Sequence, residues 1–299
     1  SSWRRIRPRI DACQRGWGDA CIGALSTLPT ATQLCLEAAK RLGLEASVLD
    51  PEYGYLFELR KGERRQAMLG GRSPLNDAVA ARLAEDKHYT GMLLERADLR
   101  TPRTTRCLSR EHPSMASYRD RAGMTPGVAF AKELGYPVVV KPNRLSHGRG
   151  VTLAGDEGTL RRAVRAAWQL DAIALVQERI DVRDFRLEFL DGRFLVGYER
   201  RPIEVRGDGK RSLGQLLAAR DPRFADPERL RRLTRDRRFR QTVERRGWTM
   251  TSVPPEGAAL SFDGPIQNRN GASTARIVER IPEGLRQVCA RAGEAVGLR

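Results

Sequence analysis

A chain of 299 residues, 40% hydrophobic and 30% charged, is long enough to bury two or three compact units. It carries no apolar run long enough to cross a bilayer and no charged-then-apolar signal segment at Ser1, so it reads as a cytoplasmic protein with no membrane partner. The five cysteines, Cys13, Cys21, Cys35, Cys107 and Cys289, show no CxxC spacing, which excludes a disulfide framework or a zinc site and leaves reduced, mostly buried thiols.

Fifty-four Lys+Arg against 37 Asp+Glu give a formal charge of +17, and such a surface attracts polyanions. Three sources compete: compositional bias toward arginine, an anionic small substrate such as a nucleotide with an acidic amino acid, and nucleic acid. Nucleic acid weighs least, because only Phe239 lies among Arg229, Arg231, Arg232, Arg235, Arg237, Arg238 and Arg240 to stack a base. That arginine cluster reads as one continuous solvated helix face or a mobile arm.

In chain order, Cys21 to Leu25 is an apolar run of strand length. Thr30 can cap a helix whose apolar positions Leu34, Leu36, Ala38 and Leu42 lead to Gly43, and Ala46 to Leu49 is the returning strand. A parallel pair joined by a helix is a Rossmann-like start. Tyr55–Arg60, the turn Lys61-Gly62 and Gln66–Leu69 predict a hairpin ahead of Gly70-Gly71. Ser73-Pro74 predicts an N-cap and first turn for a helix through Leu75, Val79, Ala80 and Leu83, and a second helix runs from Tyr89 through Leu94, with Lys87 between them. Cys107 to Arg121 is weakly patterned and reads as a linker. Helix resumes after Met124, followed by the strand Tyr136–Lys141, a glycine loop, the strand Val151–Leu153, a helix over Glu157–Trp168, and strands at Ile173–Glu178, Phe185–Leu190 and Phe194–Tyr198.

Lys141-Pro142-Asn143 ends a β-branched strand and is followed by Ser146-His147-Gly148-Arg149-Gly150. A strand-end lysine can reach phosphates, and a loop with two glycines can fold over them and offer backbone N–H groups. Alone, a solvated strand end and a hairpin turn explain the same residues. The order raises the signal: Asp86-Lys87, then Lys141 with its loop, Gln177-Glu178-Arg179-Ile180, Asp184-Phe185-Arg186, Arg200-Arg201-Pro202 and Gly207-Asp208-Gly209.

In this order the chain resembles the ATP-grasp superfamily, in the branch containing cyanophycin synthetase, N-acetylglutaminylglutamine synthetase and the ATP-grasp part of bifunctional glutathione synthetase. The matching stretches run from Ser73 to Thr90, Leu134 to Leu153 and Val176 to Leu217. The resemblance implies an α/β (α+β) chain with an ATP-grasp fold: a Rossmann-like pre-ATP-grasp domain over residues 1–75, a lid subdomain with its preceding helices over 76–171, and an incomplete C-terminal subdomain over 172–299. Lys87 and Lys141 look like the lysines that bracket the ATP phosphates, and Ser146, Gly148 and Gly150 like the mobile lid. Gln177, Glu178 and Ile180 resemble the adenine linker, Asp184 the acid near the ribose, and Arg186 and Arg200 the guanidinium pair that neutralises the acyl phosphate and the transferred phosphoryl group.

The activity so implied is an ATP-dependent carboxylate–amine ligase that makes an amide or peptide bond through an acyl phosphate and releases ADP and phosphate, acting on amino acids or peptides. ATP and Mg²⁺ are the implied cofactors. The residue types suit the chemistry, since the protein mainly positions reactants and neutralises charge while a lid excludes water. The family's magnesium ligands, an acidic residue and a Glu-x-Asn motif, fall on a later strand pair. They are expected beyond Arg299 in a longer native chain, with loss of the metal site as the alternative, so no metal ligand is assigned here. The stretch Gln267 to Ala275 departs from the family's glycine pair and aspartate. Gly207-Asp208-Gly209 reads as a tight turn, His147 as a solvated loop residue, and Trp17, Trp168 and Trp248 as core or interface fillers. The rival readings are a catalytically silent nucleotide-binding regulatory module and an arginine-rich nucleic-acid binder. The positive charge favours an acidic acceptor, and a homo-oligomer is in view because similar enzymes are frequently dimers or tetramers.

Overall fold

The computed structural model describes residues 28–72, 74–146, 148–235, 237–261 and 273–299. The strand expected at Cys21–Leu25, together with Cys13, Trp17, Ser73, His147 and most of the stretch from Gln267 to Ala275, lies outside them. The chain divides into two compact units, Ser1–Asp77 and Ala78–Arg299. No described helix is long and apolar enough to cross a membrane.

In the first unit, helix α1 (Thr30–Arg41) starts after Pro29, which makes no side-chain cap, so Thr30 is the first helical residue and not the cap. The strands β1 (Glu45–Val48), β2 (Leu56–Lys61) and β3 (Arg64–Leu69) form an antiparallel sheet in that order. β1 therefore pairs with the hairpin and with no parallel strand among the described residues. Lys61 faces Arg64 across the hairpin, which leaves Gly62 and Glu63 as the turn; Gly62 takes φ +57°, where glycine has no Cβ to clash.

The second unit opens with α2 (Ala78–Glu85) and α3 (Lys87–Arg96). Asp86 caps α3 by accepting a hydrogen bond from Tyr89 N at 3.0 Å, so Lys87 is the first residue of the second helix and not part of a linker. Next come β4 (Thr104–Leu108), α4 (Thr125–Leu134), β5 (Val138–Pro142), β6 (Thr152–Ala154), α5 (Glu157–Trp168) and β7 (Ile173–Glu178). The four strands make one antiparallel sheet in the order β4-β7-β5-β6. The segment read as a linker from Cys107 thus begins inside a strand, which Cys107 and Leu108 complete before a 3₁₀ turn at Pro113–Tyr118.

Strand alternation splits this sheet into two faces. Cys107, Val138, Val140, Ala174 and Val176 pack with Val128, Ala131, Leu160 and Val164 of α4 and α5 into one core. Each such buried aliphatic side chain contributes about 1.5–3 kcal/mol. α4 lies so close that a Cβ on Gly127 would strike Cys107 Sγ and Val176. Burial pushes the Cys107 thiol up to about 11, marking it as packing and not as a nucleophile. Trp168 fills the edge of this core and donates its Nε1–H to Cys107 O at 2.9 Å.

The next antiparallel sheet is β12-β9-β8, from β8 (Asp184–Leu190), β9 (Arg193–Pro202) and β12 (Ser273–Ile277), backed by α9 (Glu283–Val296). A second core joins β10 (Glu204–Arg206) and β11 (Ala259–Ser261) to α6 (Leu213–Arg220), α7 (Pro227–Arg235) and α8 (Arg237–Glu244). The arginine-rich segment is therefore neither one continuous helix nor a mobile arm. It is two short helices whose Leu233, Phe239 and Val243 are buried with Leu213, Leu217 and Phe224, while Trp248 packs alongside. The apolar residues between the arginines recur on one helical face, and that face is what the core takes. The Gly207-Asp208-Gly209 turn is held by Asp208, which accepts from the backbone N–H of Lys210 and Arg211 at 3.0 and 2.8 Å.

Candidate active site

The sheet face turned away from α4 and α5 carries Thr104, Arg106, Val139, Lys141, Leu175 and Gln177, by their register. Lys141 donates its Nζ to Gln177 Oε1 at 2.7 Å, and Gln177 Nε2 donates to Thr104 Oγ1 at 2.8 Å. A relay across three strands thus holds the ammonium. Burial, and next the Lys87 ammonium, push Lys141 down to about 8. Lys87 reaches the same strand end by bonding Asn143 O and Leu145 O just past Lys141, so the two ammonium groups share one site.

Lys87 itself is half-buried, and its Nζ donates to Asn143 O at 2.8 Å and Leu145 O at 2.5 Å. Burial lowers its pKa, while Asp171 and Asp86 pull the other way. The lysine is in contact with the root of the β5–β6 loop, the segment that holds Ser146, Gly148 and Gly150. Gly148 and Gly150 take φ +67° and +72°, and the backbone N–H groups of Arg149 and Val151 close turns onto Ser146 O and Gly148 O. Gly150 has no room for a larger residue, since a Cβ there would come within 2.8 Å of both Leu170 and Pro142. Ser146 is exposed at the loop's start.

The loop root has partners that spacing alone did not identify. Asn143 is fully buried, and its Oδ1 accepts from His88 N at 3.0 Å. Asp86 is buried at the cap of α3 and also accepts from Arg144 Nε at 3.3 Å, while Arg144 N donates to Asp171 Oδ2 at 2.8 Å. Burial disfavours the Asp86 charge, yet the bonds from Tyr89 N and Arg144, with the polar Asn143 amide nearby, outweigh it and leave the carboxyl below its ordinary range. An acidic residue directly before a helix was the available signal.

At the end of β7 the Glu178 carboxylate is taken up by Arg103, accepting from its backbone N–H at 2.7 Å and its Nε at 3.3 Å. Its side chain ties down the entry to β4. Ile180, two residues on, is exposed, and no backbone hydrogen bond among the described residues engages it. An apolar side chain beside unpaired backbone polar groups offers a flat base both a stacking surface and hydrogen bonds.

Asp184, Arg186 and Arg200 stand on the other sheet. Asp184 faces Arg200 across β8 and β9, and the guanidinium donates from Nε and Nη2 to it at 3.2 and 2.8 Å. Arg186 is half-exposed and donates its Nε to Glu188 at 2.7 Å. Glu199, not singled out in the sequence, is buried and bracketed by Arg183 and Arg201, whose hydrogen bonds hold its carboxyl down to about 2, Arg183 contributing more. The structure thus brings Lys87 of α3, Lys141, Gln177 and the glycine loop together at the β4-β7-β5-β6 sheet, and Asp184, Arg186 and Arg200 on the β12-β9-β8 sheet. Among the described residues no three His, Cys, Asp or Glu side chains form a metal cluster.

A family model described as the D-ala D-ala ligase C-terminus matches residues 119–204. Cyanophycin synthetase of Trichormus variabilis is 28% identical over 277 residues, covering 90% of this chain and 28% of that protein. The glutathione biosynthesis bifunctional protein GshAB of Desulfotalea psychrophila is 19% identical over 279 residues, covering 91% of this chain and 34% of that one. The crystal structure of a bifunctional glutathione synthetase from Pasteurella multocida superposes with a TM-score of 0.54 at 17% identity, over 92% of this chain and 36% of that one. The chain spans about a third of these relatives' lengths. The resemblance to the ATP-grasp ligases and the ATP-grasp fold expected from it are both borne out.

Proposed function

We propose that this chain, with its ATP-grasp fold, carries the nucleotide site of an ATP-dependent carboxylate–amine ligase acting on amino-acid or peptide substrates. The observation that carries this reading is the Lys141 ammonium, buried on the relay through Gln177 and Thr104 beside Lys87, at the foot of a glycine loop. Two ammonium groups sharing one partly buried site repel each other unless an anion joins them, and a polyphosphate supplies the opposite charge at the right place.

When bound, ATP supplies the phosphoryl group that turns a carboxylate into an acyl phosphate. Lys87 and Lys141 neutralise its phosphate oxygens, and the loop at Ser146, Gly148 and Gly150 folds over them and keeps water out. Gln177, Glu178 and Ile180 form the edge for the base, with Glu178 contributing through its backbone because its carboxylate is held by Arg103. Asp184 lies on the ribose side. Arg186 and Arg200 neutralise the charge that gathers on the transferred group, an interaction whose removal typically costs ~3–4 kcal/mol in the transition state. An amine then attacks the acyl carbon, the C–N bond forms, and inorganic phosphate departs with the amine's proton passed to solvent. Mg²⁺ would add charge neutralisation at the phosphates, and among the described residues no cluster of acidic side chains would hold it.

The test is ADP release in magnesium buffer by the native protein that carries these residues, with mixed amino acids and short acidic peptides as carboxylates and amines. ADP production that needs both partners supports the proposal. ATP binding without amine-dependent turnover overturns it in favour of a silent nucleotide-binding module.

A further inference from the structure

Local pattern assigns no element to residues 104–106, and the register of β4 gives them a task. Cys107 points into the helix-covered core, so by alternation Thr104 and Arg106 stand on the opposite face with Lys141 and Gln177. Thr104 bears this out through its bond to Gln177. Arg106 faces Leu175 on β7, and Leu175 faces Lys141 on β5, so the three form one row across adjacent strands. By ordinary strand spacing the row's ends are about 10 Å apart.

Leu175 is fully buried at the centre of this row, while Arg106 is exposed and no described carboxylate pairs with it. Burial first and the Arg106 guanidinium next depress His88, the residue after Lys87, against Asp86 and Glu95, so the guanidinium's charge reaches the start of α3. The nearby acids are already committed: Asp86 to Arg144 and Tyr89 N, and Asp171 to the backbone N–H groups of Arg144 and Ile173. The first N–H groups of α3 are likewise taken, Lys87 and His88 by Asn143 and Tyr89 by Asp86. An anion arriving here meets side chains and not the helix terminus.

We infer that Arg106 is a third cation of this site and binds the polyphosphate of the nucleotide together with Lys87 and Lys141. The inference rests on the nucleotide site proposed above. A planar guanidinium engages two phosphate oxygens through a fixed, preorganised fork, whereas an ammonium presents freely rotating donors.

Calorimetric titrations of the 299-residue chain with ATP, adenosine and inorganic tripolyphosphate test it. Arg106→Ala should weaken ATP and tripolyphosphate by about tenfold or more and leave adenosine unchanged, with Arg106→Lys recovering part of the loss. The His88 ring, followed by NMR, should titrate at higher pH in Arg106→Ala because a neighbouring positive charge has gone. Tripolyphosphate affinity equal to wild type, or equal losses for ATP and adenosine, overturns the inference. Arg106-dependent tripolyphosphate binding without amine-dependent ADP release leaves the cradle standing and removes only the ligase reading; a wild type that binds neither ATP nor tripolyphosphate removes both.

Discussion

Lys141→Met should make the protein more stable at neutral pH while abolishing its hold on ATP. The ammonium's fall from 10.5 to about 8 measures what it costs to keep the charge where burial and Lys87 oppose it, about 3 kcal/mol at pH 7. Methionine keeps the stem's length and removes the charge, but it strips Gln177 Oε1 of its donor at 2.7 Å, which at this part-buried amide takes back ~1–2 kcal/mol. The net expectation is a gain of about 1–2 kcal/mol, a few degrees in Tm for a unit of this size. Urea unfolding from pH 7 to 10.5 reads the cause. Native Lys141 gives up its proton near pH 8 and the unfolded chain only near 10.5, so the native state binds fewer protons between them and the wild type gains stability with rising pH there. The variant lacks that gain, and above the window, where the neutral amine still bonds Gln177, the wild type becomes the more stable of the two. A variant no more stable at pH 7, with a constant difference from wild type across this range, would refute the account.

Gly127→Ala would ordinarily favour a helix by about 1 kcal/mol, yet its Cβ would strike Cys107 and Val176, so a net loss of ~1–3 kcal/mol should appear as a lower urea midpoint. Glu199→Gln should flatten the acid limb of stability: the wild-type carboxylate, held down to about 2 by Arg183 and Arg201, stabilises the fold fully above its ordinary range and loses that contribution as pH falls toward 2, as circular dichroism at stepped pH would record. Phe239→Ala should cost ~3–5 kcal/mol in thermal unfolding, because the ring is buried in the second core; a mobile arm would show no change.

Periodicity made most of the second unit legible. The helix over Glu157–Trp168 and the strand over Ile173–Glu178 have the expected bounds, because strong apolar patterning is met there by clear end signals such as the Asp156 cap. β4 was missed because its burial comes from pairing with β7, a contact some 70 residues away that no local pattern encodes. The arginine-rich segment was misread because charge hid three apolar anchors at helical spacing. The order of Asp86, Lys87 and Lys141 in the chain put them forward as candidates, whereas Asn143, which bonds Lys87, and Thr104, which steadies Lys141 through Gln177, became visible only when the strands were in register.

The pairing of Asp184 with Arg200 shows why a surface ion pair and a ligand-binding role need not compete. Arg200 spends Nε and one hydrogen of Nη2 on the carboxylate. A guanidinium has five N–H groups, so three remain, on an edge whose direction the cross-strand pair fixes. Arg186 spends only Nε on Glu188 and keeps both terminal nitrogens. An anion arriving at either arginine would meet donors already oriented, with less rotamer entropy left to lose. Asp184 across the sheet from Arg200 and Glu188 two residues along the strand from Arg186 therefore fit a positioning role: each leaves part of its partner's fork open, and that part is what a phosphate would use.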